Sequence, residues 1–325
     1  MPLTLHNISK TIDNRAVLRG LSISAEEGEI FGIFGPSSAG KSALINLIAG
    51  KLTPDSGTIS YKGSDVTTQS CEDRAFHFPA ISNESIWRAL FRTNRSSELA
   101  DGEGQVIAFK NALENTSGVL LLDNSFCEMD KLMREAAFRE MRRAAASRKL
   151  TIIFATNDFE DVMLACDRVG VIVEGQLRQV GVPQEIYESP SDSLVAKVVG
   201  RNNFFLARRL TSSKAELPEY QTLVGDHRLF TRKAERGGGL APLNQNVTLS
   251  IRPEHVSISF GASFPEDNII RATVKRIQFL GPTTLVEFNA DGLTLEASVL
   301  RVVGLAVGDE CMLSLPPDRI QIFKD

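Results

Sequence analysis

The stretch EIFGIFGPSSAGKSALINLIAG, from Glu29 to Gly50, decides the fold of this 325-residue chain. Its first six residues, Glu29–Phe34, form a mostly apolar run that stops at a Gly-Pro pair, which predicts a buried strand. Apolar residues after Ser42 recur at helical spacing as far as the closing glycine, which predicts a helix. The stretch therefore predicts a strand, a glycine-containing loop and a helix in immediate succession.

The loop between the predicted strand and helix, GPSSAGKS, fits the pattern G-x-x-x-x-G-K-[ST]. Its glycines let backbone N–H groups turn toward phosphate oxygens, and the helix N-terminus adds a partial positive charge. We expect the Lys41 ammonium to reach the β- and γ-phosphates and the Ser42 hydroxyl to ligate Mg2+. A chance glycine turn is the alternative, and the strand–loop–helix context argues against it. The predicted nucleotide-binding residues are Gly35, Pro36, Ser37, Ser38, Ala39, Gly40, Lys41, Ser42 and Ala43.

A second apolar run, GVLLLD, ends at Asp123 and is followed by Asn124. A carboxylate at the end of a buried strand is the natural second magnesium ligand beside Ser42. A strand-terminal acid that binds no ligand is the alternative. Nucleotide-hydrolysing proteins usually place another acid directly after this one, and a carboxamide cannot accept a proton from water at neutral pH. The sequence therefore predicts a chain whose primary role is to bind a nucleotide rather than to hydrolyse it.

Strand and helix signals alternate through residues 1–200. The run LTIIFAT (Leu150–Thr156) predicts another buried strand, and KLMREAAFREMRRAAASR before it has the charge and alanine content of a helix. The run RVGVIVEGQLRQVG (Arg168–Gly181) predicts an antiparallel hairpin. This alternation favours an α/β fold in which helices cover a parallel sheet.

Residues 201–325 have a different pattern of short alternating runs, such as VTLSIRPEHVSISF and TTLVEFNADGLTLEASV. NADG within the second run is typical of a hairpin turn. The pattern predicts a small all-β barrel or sandwich that follows the α/β domain.

Composition excludes several classes of protein. The net charge of −4 and pI of about 5.7 argue against broad nucleic-acid binding, which needs a basic field. The start, MPLTLHNISK, shows no secretory signal, and no apolar run approaches the roughly 18 residues that cross a bilayer. We therefore expect any membrane association to come through a partner.

The order of motifs resembles the ATP-binding subunits of ABC transporters. The resemblance rests on GPSSAGKS, LADGEGQVIAFKNAL, GVLLLDNSFCEMD and IIFATNDFEDVMLACDRVGVIVEGQLRQVG, and on VGRNNFF and SIRPEHVSI further on. The last two are similar to the junction and the TOBE-type β-domain of importers for sugars, glycerol phosphate, polyamines and iron. The resemblance implies a RecA-like P-loop NTPase domain over residues 1–200 and a small OB-like or TOBE regulatory domain over residues 201–325.

The same resemblance implies cofactors and partners. It implies ATP and Mg2+, clamped between the phosphate loop of one chain and the signature segment of a second ABC ATPase chain. It also implies membrane permease subunits, indirectly a solute-binding protein, and a cytoplasmic location on the inner face of the cell membrane.

Several motifs depart from the family pattern. The signature LSGGQ aligns with Leu99, Ala100, Asp101, Gly102 and Glu103, which would bring two carboxylates toward phosphate charge. A remodelled loop with both acids in water is the alternative. By the same resemblance, the catalytic glutamate falls on Asn124, the switch histidine on Asn157 and the adenine-stacking aromatic residue on Ile12.

Two functions are compatible with these residues. The first is an importer subunit that is the weakly hydrolysing member of a heterodimer, since a homodimer would carry both defects in both sites. The second is a nucleotide-binding regulatory protein, or a decaying paralogue, without transport activity. Only 58 positions separate Lys41 from Leu99, fewer than the family normally has, so the resemblance implies a shortened helical subdomain. This favours the second function, whereas the nearly complete order of family motifs favours the first.

Overall fold

The computed structural model describes residues 3–71, 73–74, 80–81, 113, 118–124, 126, 129–213, 217–232, 240–259, 266–301 and 304–324. The chain divides into two compact units, Met1–Ser191 and Asp192–Asp325. The first unit mixes helices with strands, and the second is built mainly of strands. The predicted fold class, an α/β P-loop domain followed by a small all-β domain, is confirmed.

Two sheets form the framework of the first unit. Their strands are β1 (Leu3–Ile12), β2 (Arg15–Ala25), β3 (Ile30–Phe34), β4 (Ser56–Tyr61), β5 (Ser64–Asp65), β6 (Ala80–Ile81), β7 (Val119–Asp123), β8 (Thr151–Thr156), β9 (Arg168–Val173) and β10 (Gln176–Gly181). The larger sheet has the order β10-β9-β3-β8-β7-β6 and is parallel except at β10, which pairs antiparallel with β9. Strands β3 and β8 are buried along their whole length, as the apolar runs predicted.

The smaller sheet, in the order β2-β1-β4-β5, is antiparallel. Its strands are not predicted from local sequence patterns, because bulges interrupt the register between β1 and β2 and blur the two-residue alternation. The apolar face of this sheet shares one core with helix residues Leu44 and Leu47 and with Leu121 of β7.

Four helices of the first unit lie in the described part of the chain: α1 (Lys41–Ile48), α2 (Lys131–Arg148), α3 (Phe159–Ala165) and α4 (Pro183–Glu188). The predicted long helix is α2. It begins where the Asp130 side chain accepts a hydrogen bond from the Met133 amide (2.9 Å), and it ends at Lys149, whose backbone is left-handed. Among the described residues, we find no helix with the length and apolar character needed to span a membrane.

The described residues of the second unit form one short α-helix, α5 (Ser193–Val198), and two antiparallel sheets that share a core. The first sheet has the order β13-β12-β11-β14-β20 and the second β15-β19-β16-β17-β18. The strands are β11 (Asn203–Leu210), β12 (Glu219–Thr222), β13 (Arg228–Phe230), β14 (Asn246–Ile251), β15 (Ser257–Ser259), β16 (Asn268–Phe279), β17 (Thr284–Ala290), β18 (Leu293–Val299), β19 (Glu310–Leu315) and β20 (Gln321–Phe323). A 3-10 turn, Pro253–His255, lies between β14 and β15.

Two buried asparagines connect the sheets of the second unit. The Asn203 side chain bonds both backbone groups of Glu296 on β18, and the Asn268 amide bonds the carbonyls of Phe230 and Leu315. Because a buried amide without partners is costly, these bonds hold the two sheets in one relative arrangement.

Candidate nucleotide-binding site

Three neighbouring parallel strands of the larger sheet end at the same edge. Phe34, the last residue of β3, pairs with Thr156, the last of β8, and Asp123, the last of β7, pairs with Ala155. The segments that leave these strands therefore begin side by side. In parallel α/β sheets, ligands bind at such an edge, beyond the carboxyl ends of the strands.

The loop after β3 wraps around the Lys41 ammonium. Its Nζ donates to the carbonyls of Gly35 and Pro36, at 2.8 Å in both cases. The side chain is only 9% exposed because helix α1 begins at this residue and turns it back beneath the loop. Burial lowers the pKa of Lys41, and the Asp123 carboxylate opposes this shift. A buried cation is thus fixed inside the loop.

Two glycines give the loop its path. A Cβ at Gly35 would lie 2.1 Å from the Ile172 carbonyl of β9, so a larger residue could not pass there. Gly40, with φ of 101°, precedes the helix and lies against Val17 and Leu18 of β2. Pro36, Ser37, Ser38 and Ser42 are exposed, whereas Ala39 is buried. The loop therefore presents its two consecutive serines and the first hydroxyl of α1 outward, as a phosphate and metal site requires.

The segment after β7 carries the predicted metal ligand and the amide that follows it. Asp123 is half-buried, and its charge acts on Lys41 of the loop. The Asn124 amide donates to the Ala155 carbonyl (2.8 Å), which extends the ladder between β7 and β8 by one bond. Its φ is 50°, a left-handed conformation that asparagine tolerates better than most side chains. The loop cation, the carboxylate and the amide thus lie at one edge.

A polar cluster fixes the segment after β8. The Thr156 hydroxyl accepts from the Asp158 amide (3.1 Å) and lies 3.4 Å from the buried Asp161 carboxylate. The Arg134 guanidinium of α2 bonds Asp158 (3.3 Å) and Asp161 (3.1 Å). Asn157, between Thr156 and Asp158, is exposed and is held on both sides by this cluster.

Comparison with known proteins identifies the family. A family model described as ABC transporter matches residues 18–93, and one described as TOBE domain matches residues 249–323. A spermidine/putrescine import ATP-binding protein of Hahella chejuensis is 31% identical over 336 residues, covering 91% of this chain and 86% of that protein. The chain belongs to the importer-type ABC ATPases with a C-terminal TOBE domain.

Other relatives share nearly the whole length of this ABC ATPase. A molybdate/tungstate import ATP-binding protein of Pyrococcus horikoshii is 28% identical and covers 94% of this chain and 95% of its own. A sulfate/thiosulfate import ATP-binding protein of Bacillus cereus is 24% identical, and the alignment covers 99% of this chain and 98% of that protein. A crystal structure of a nucleotide-free ATP-binding cassette from an ABC transporter superposes with a TM-score of 0.48. It is 19% identical and covers 62% of this chain and 99% of that chain.

The structure brings together most of the predicted site of this ABC ATPase. Residues 35–43, Asp123, Asn124 and Asn157 all lie at the carboxyl edge of the larger sheet. Ile12, which is 36% exposed, closes β1 opposite Arg15, at the tip of a hairpin whose second strand contacts the loop at Val17. The signature residues Leu99, Ala100, Asp101, Gly102 and Glu103 lie outside the described residues.

Sequence reasoning missed the polar cluster that supports Asn157. The charge and alanine content around Arg134 predict only a helix, and nothing in the local sequence singles out Asp161. The only sequence signal was the acidic run around Phe159, and helical periodicity alone does not show that Asp161 turns inward. Its burial results from the packing of α3 against α2 and β8.

The cluster predicts a pH dependence of stability in this ABC ATPase. Burial, assisted by Asp158, raises the pKa of Asp161 to about 6, although Arg134 opposes the shift. The native state therefore takes up a proton near pH 6, whereas the unfolded chain does so near 3.8. The stabilisation from protonated Asp161 is full below 3.8 and is lost as the pH rises through 6.

When the pH falls from 7 to 5, we expect the free energy of unfolding of the wild type to rise by about 1 kcal/mol more than that of Asp161→Asn. Urea unfolding of both proteins at the two pH values measures this difference. Asp13→Asn is the control for the loss of one carboxylate charge, at an exposed aspartate in the turn between β1 and β2. The prediction would be contradicted if the free energies of unfolding of wild type and Asp161→Asn changed equally between the two pH values.

Proposed function

We propose that this chain is the ATP-binding subunit of an ABC importer. It binds MgATP through residues 35–43, with Ser42 and Asp123 as the magnesium ligands, and pairs with a second ABC ATPase chain beneath membrane permease subunits. Formation and release of the pair drive solute import, and a solute-binding protein takes part indirectly. The observation that carries this proposal is the Lys41 cation fixed inside the loop beside Asp123, on a chain of the ABC family.

The residues present suit this ligand. The backbone of the loop and Lys41 supply the positive potential that a triphosphate needs, and the exposed Ser42 hydroxyl is available as an oxygen ligand. Bound Mg2+ would supply charge neutralisation at the phosphate oxygens. Asp123, at the end of a rigid buried strand, supplies the second protein oxygen.

We propose slow hydrolysis as the second part of this function. Asn124 takes the place of the general base and orients water without accepting its proton, in the manner of a glutamine. Asn157 offers hydrogen bonds without the charge option of histidine. In a heterodimer one composite site lacks the glutamate and the other receives Leu99–Glu103 in place of the usual signature. Both sites are weakened, and a partner with intact motifs would be the faster member.

The domain assignment that accompanies this function is 1–200 for ATP binding and 201–325 for regulation. We also propose that the chain works at the inner face of the cell membrane through the permease. The relatives described above are named for spermidine and putrescine, for molybdate and tungstate, and for sulfate and thiosulfate. Since these solutes include both cations and anions, we assign no solute.

The cation in the loop gives the first prediction. We expect Lys41→Ala to weaken MgATP binding by about 10- to 100-fold, because a charged hydrogen bond to phosphate is lost. Isothermal titration calorimetry of the purified chain measures the affinity. Lys51→Ala, an exposed lysine soon after α1, is the control and should bind as wild type does. No heat of MgATP titration with the folded wild-type chain would end the proposal.

The amide after β7 gives the second prediction. We expect Asn124→Glu to release phosphate from ATP at least about 10-fold faster than wild type, since a general base contributes 10²–10⁴ in rate. Asn124→Gln, with the same length but no basic oxygen, should stay near the wild-type rate. Equal rates for the two variants would show that the missing carboxylate is not what limits turnover.

The short segment between Lys41 and Leu99 favours a second candidate, a nucleotide-responsive regulator without transport work. Affinity purification of the full chain from membranes separates the two functions. If the chain is an importer subunit, permease subunits and a second ATPase chain should co-purify with it in stoichiometric amounts. A regulator predicts that neither co-purifies, while MgATP binding is kept.

A further inference from the structure

The phosphate loop contains a strained serine. Ser38 has φ of 66°, in the left-handed region that is strained for most residues other than glycine. The Ala39 amide donates to the Pro36 carbonyl (3.2 Å), so Ser38 is the third residue of a tight turn, the position at which glycine is favoured when φ is positive. The chain thus keeps a side chain where the turn favours none.

The other residues with positive φ in the described part of the chain have local explanations. Of eleven that are not glycine, seven are asparagine or aspartate, which tolerate this conformation. Lys62 and Glu174 precede glycines in two-residue hairpin turns, and Lys149 ends α2. Ser38 alone belongs to neither a hairpin turn nor a helix end of this kind. Strain of this sort at a ligand site indicates a functional constraint.

The Ser38 hydroxyl is accessible and makes a local hydrogen bond. The side chain is exposed at the outer turn of the loop, and its Oγ donates to the neighbouring Ser37 carbonyl. That bond is local and replaceable, because a rotation about one side-chain bond turns the hydroxyl toward a ligand. The same turn begins at Pro36, two residues after the end of β3, and the Pro36 carbonyl also accepts a hydrogen bond from the Lys41 ammonium.

We propose that Ser38 binds the triphosphate through its side chain, in addition to the backbone amides of the loop. The inference rests on the proposed function and extends it to one further phosphate donor. An O–H donor to a charged phosphate oxygen is a strong, short hydrogen bond. It offsets the backbone strain when nucleotide is bound, which explains why a side chain is kept at this position.

The test compares two variants. Ser38→Ala keeps the strained backbone and removes the hydroxyl, whereas Ser38→Gly removes both. We expect both variants to bind MgATP about 5- to 10-fold more weakly than wild type by calorimetry. We also expect Ser38→Gly to unfold at higher urea concentration, because glycine adopts this φ without strain. Lys62→Gly is the matched control: it relieves the same strain outside the site and should leave the affinity unchanged.

Titration with MgADP locates the bond. Weaker binding of MgATP alone assigns the hydroxyl to the γ-phosphate, and weaker binding of both nucleotides assigns it to the β-phosphate. Affinities of both variants within about twofold of wild type, or tighter binding by Ser38→Gly, would overturn the proposal. A wild-type chain that binds neither nucleotide would instead refute the proposed function, so the two failures are distinguishable.

Discussion

The parallel register of β3, β8 and β7 is the constraint on which the nucleotide site depends. It pairs Phe34 with Thr156 and Asp123 with Ala155, so the three strands end within one residue of one another. A shift of one residue in either pairing would move the phosphate loop away from the carboxylate that acts on its cation. The buried, almost wholly apolar character of these strands keeps the register fixed, because a slip would expose their side chains or bury polar ones.

Close contacts at its two glycines determine the path of the loop after β3. The Ile172 carbonyl leaves no room for a side chain at Gly35, and Val17 and Leu18 approach Gly40 closely. The loop therefore turns outward between two fixed points, and the Lys41 ammonium fills the space behind it. The strained Ser38 lies at the turn between these points.

The carboxyl edge of the larger sheet combines an ordered scaffold with amide side chains at two of the predicted site positions. Asn124 keeps the backbone bond to Ala155, and Asn157 keeps a supporting cluster of Arg134, Asp158 and Asp161. The scaffold around both positions is thus ordered, although the side chains themselves are amides. The amides at these two positions are the basis of the slow hydrolysis proposed above.

The sequence by itself determined the strand–loop–helix unit, helix α2, the hairpin of β9 and β10, and the all-β second half, because their signals are local and strongly periodic. The motif also predicts which residues form the phosphate loop, since its spacing follows from phosphate chemistry. Only the tertiary structure decided that Asp161 is buried against Arg134, that Asn203 and Asn268 connect two sheets, and that Ser38 is strained. These features depend on contacts between residues distant in the chain or on a backbone angle. Local hydrophobic periodicity predicts neither such contacts nor such angles.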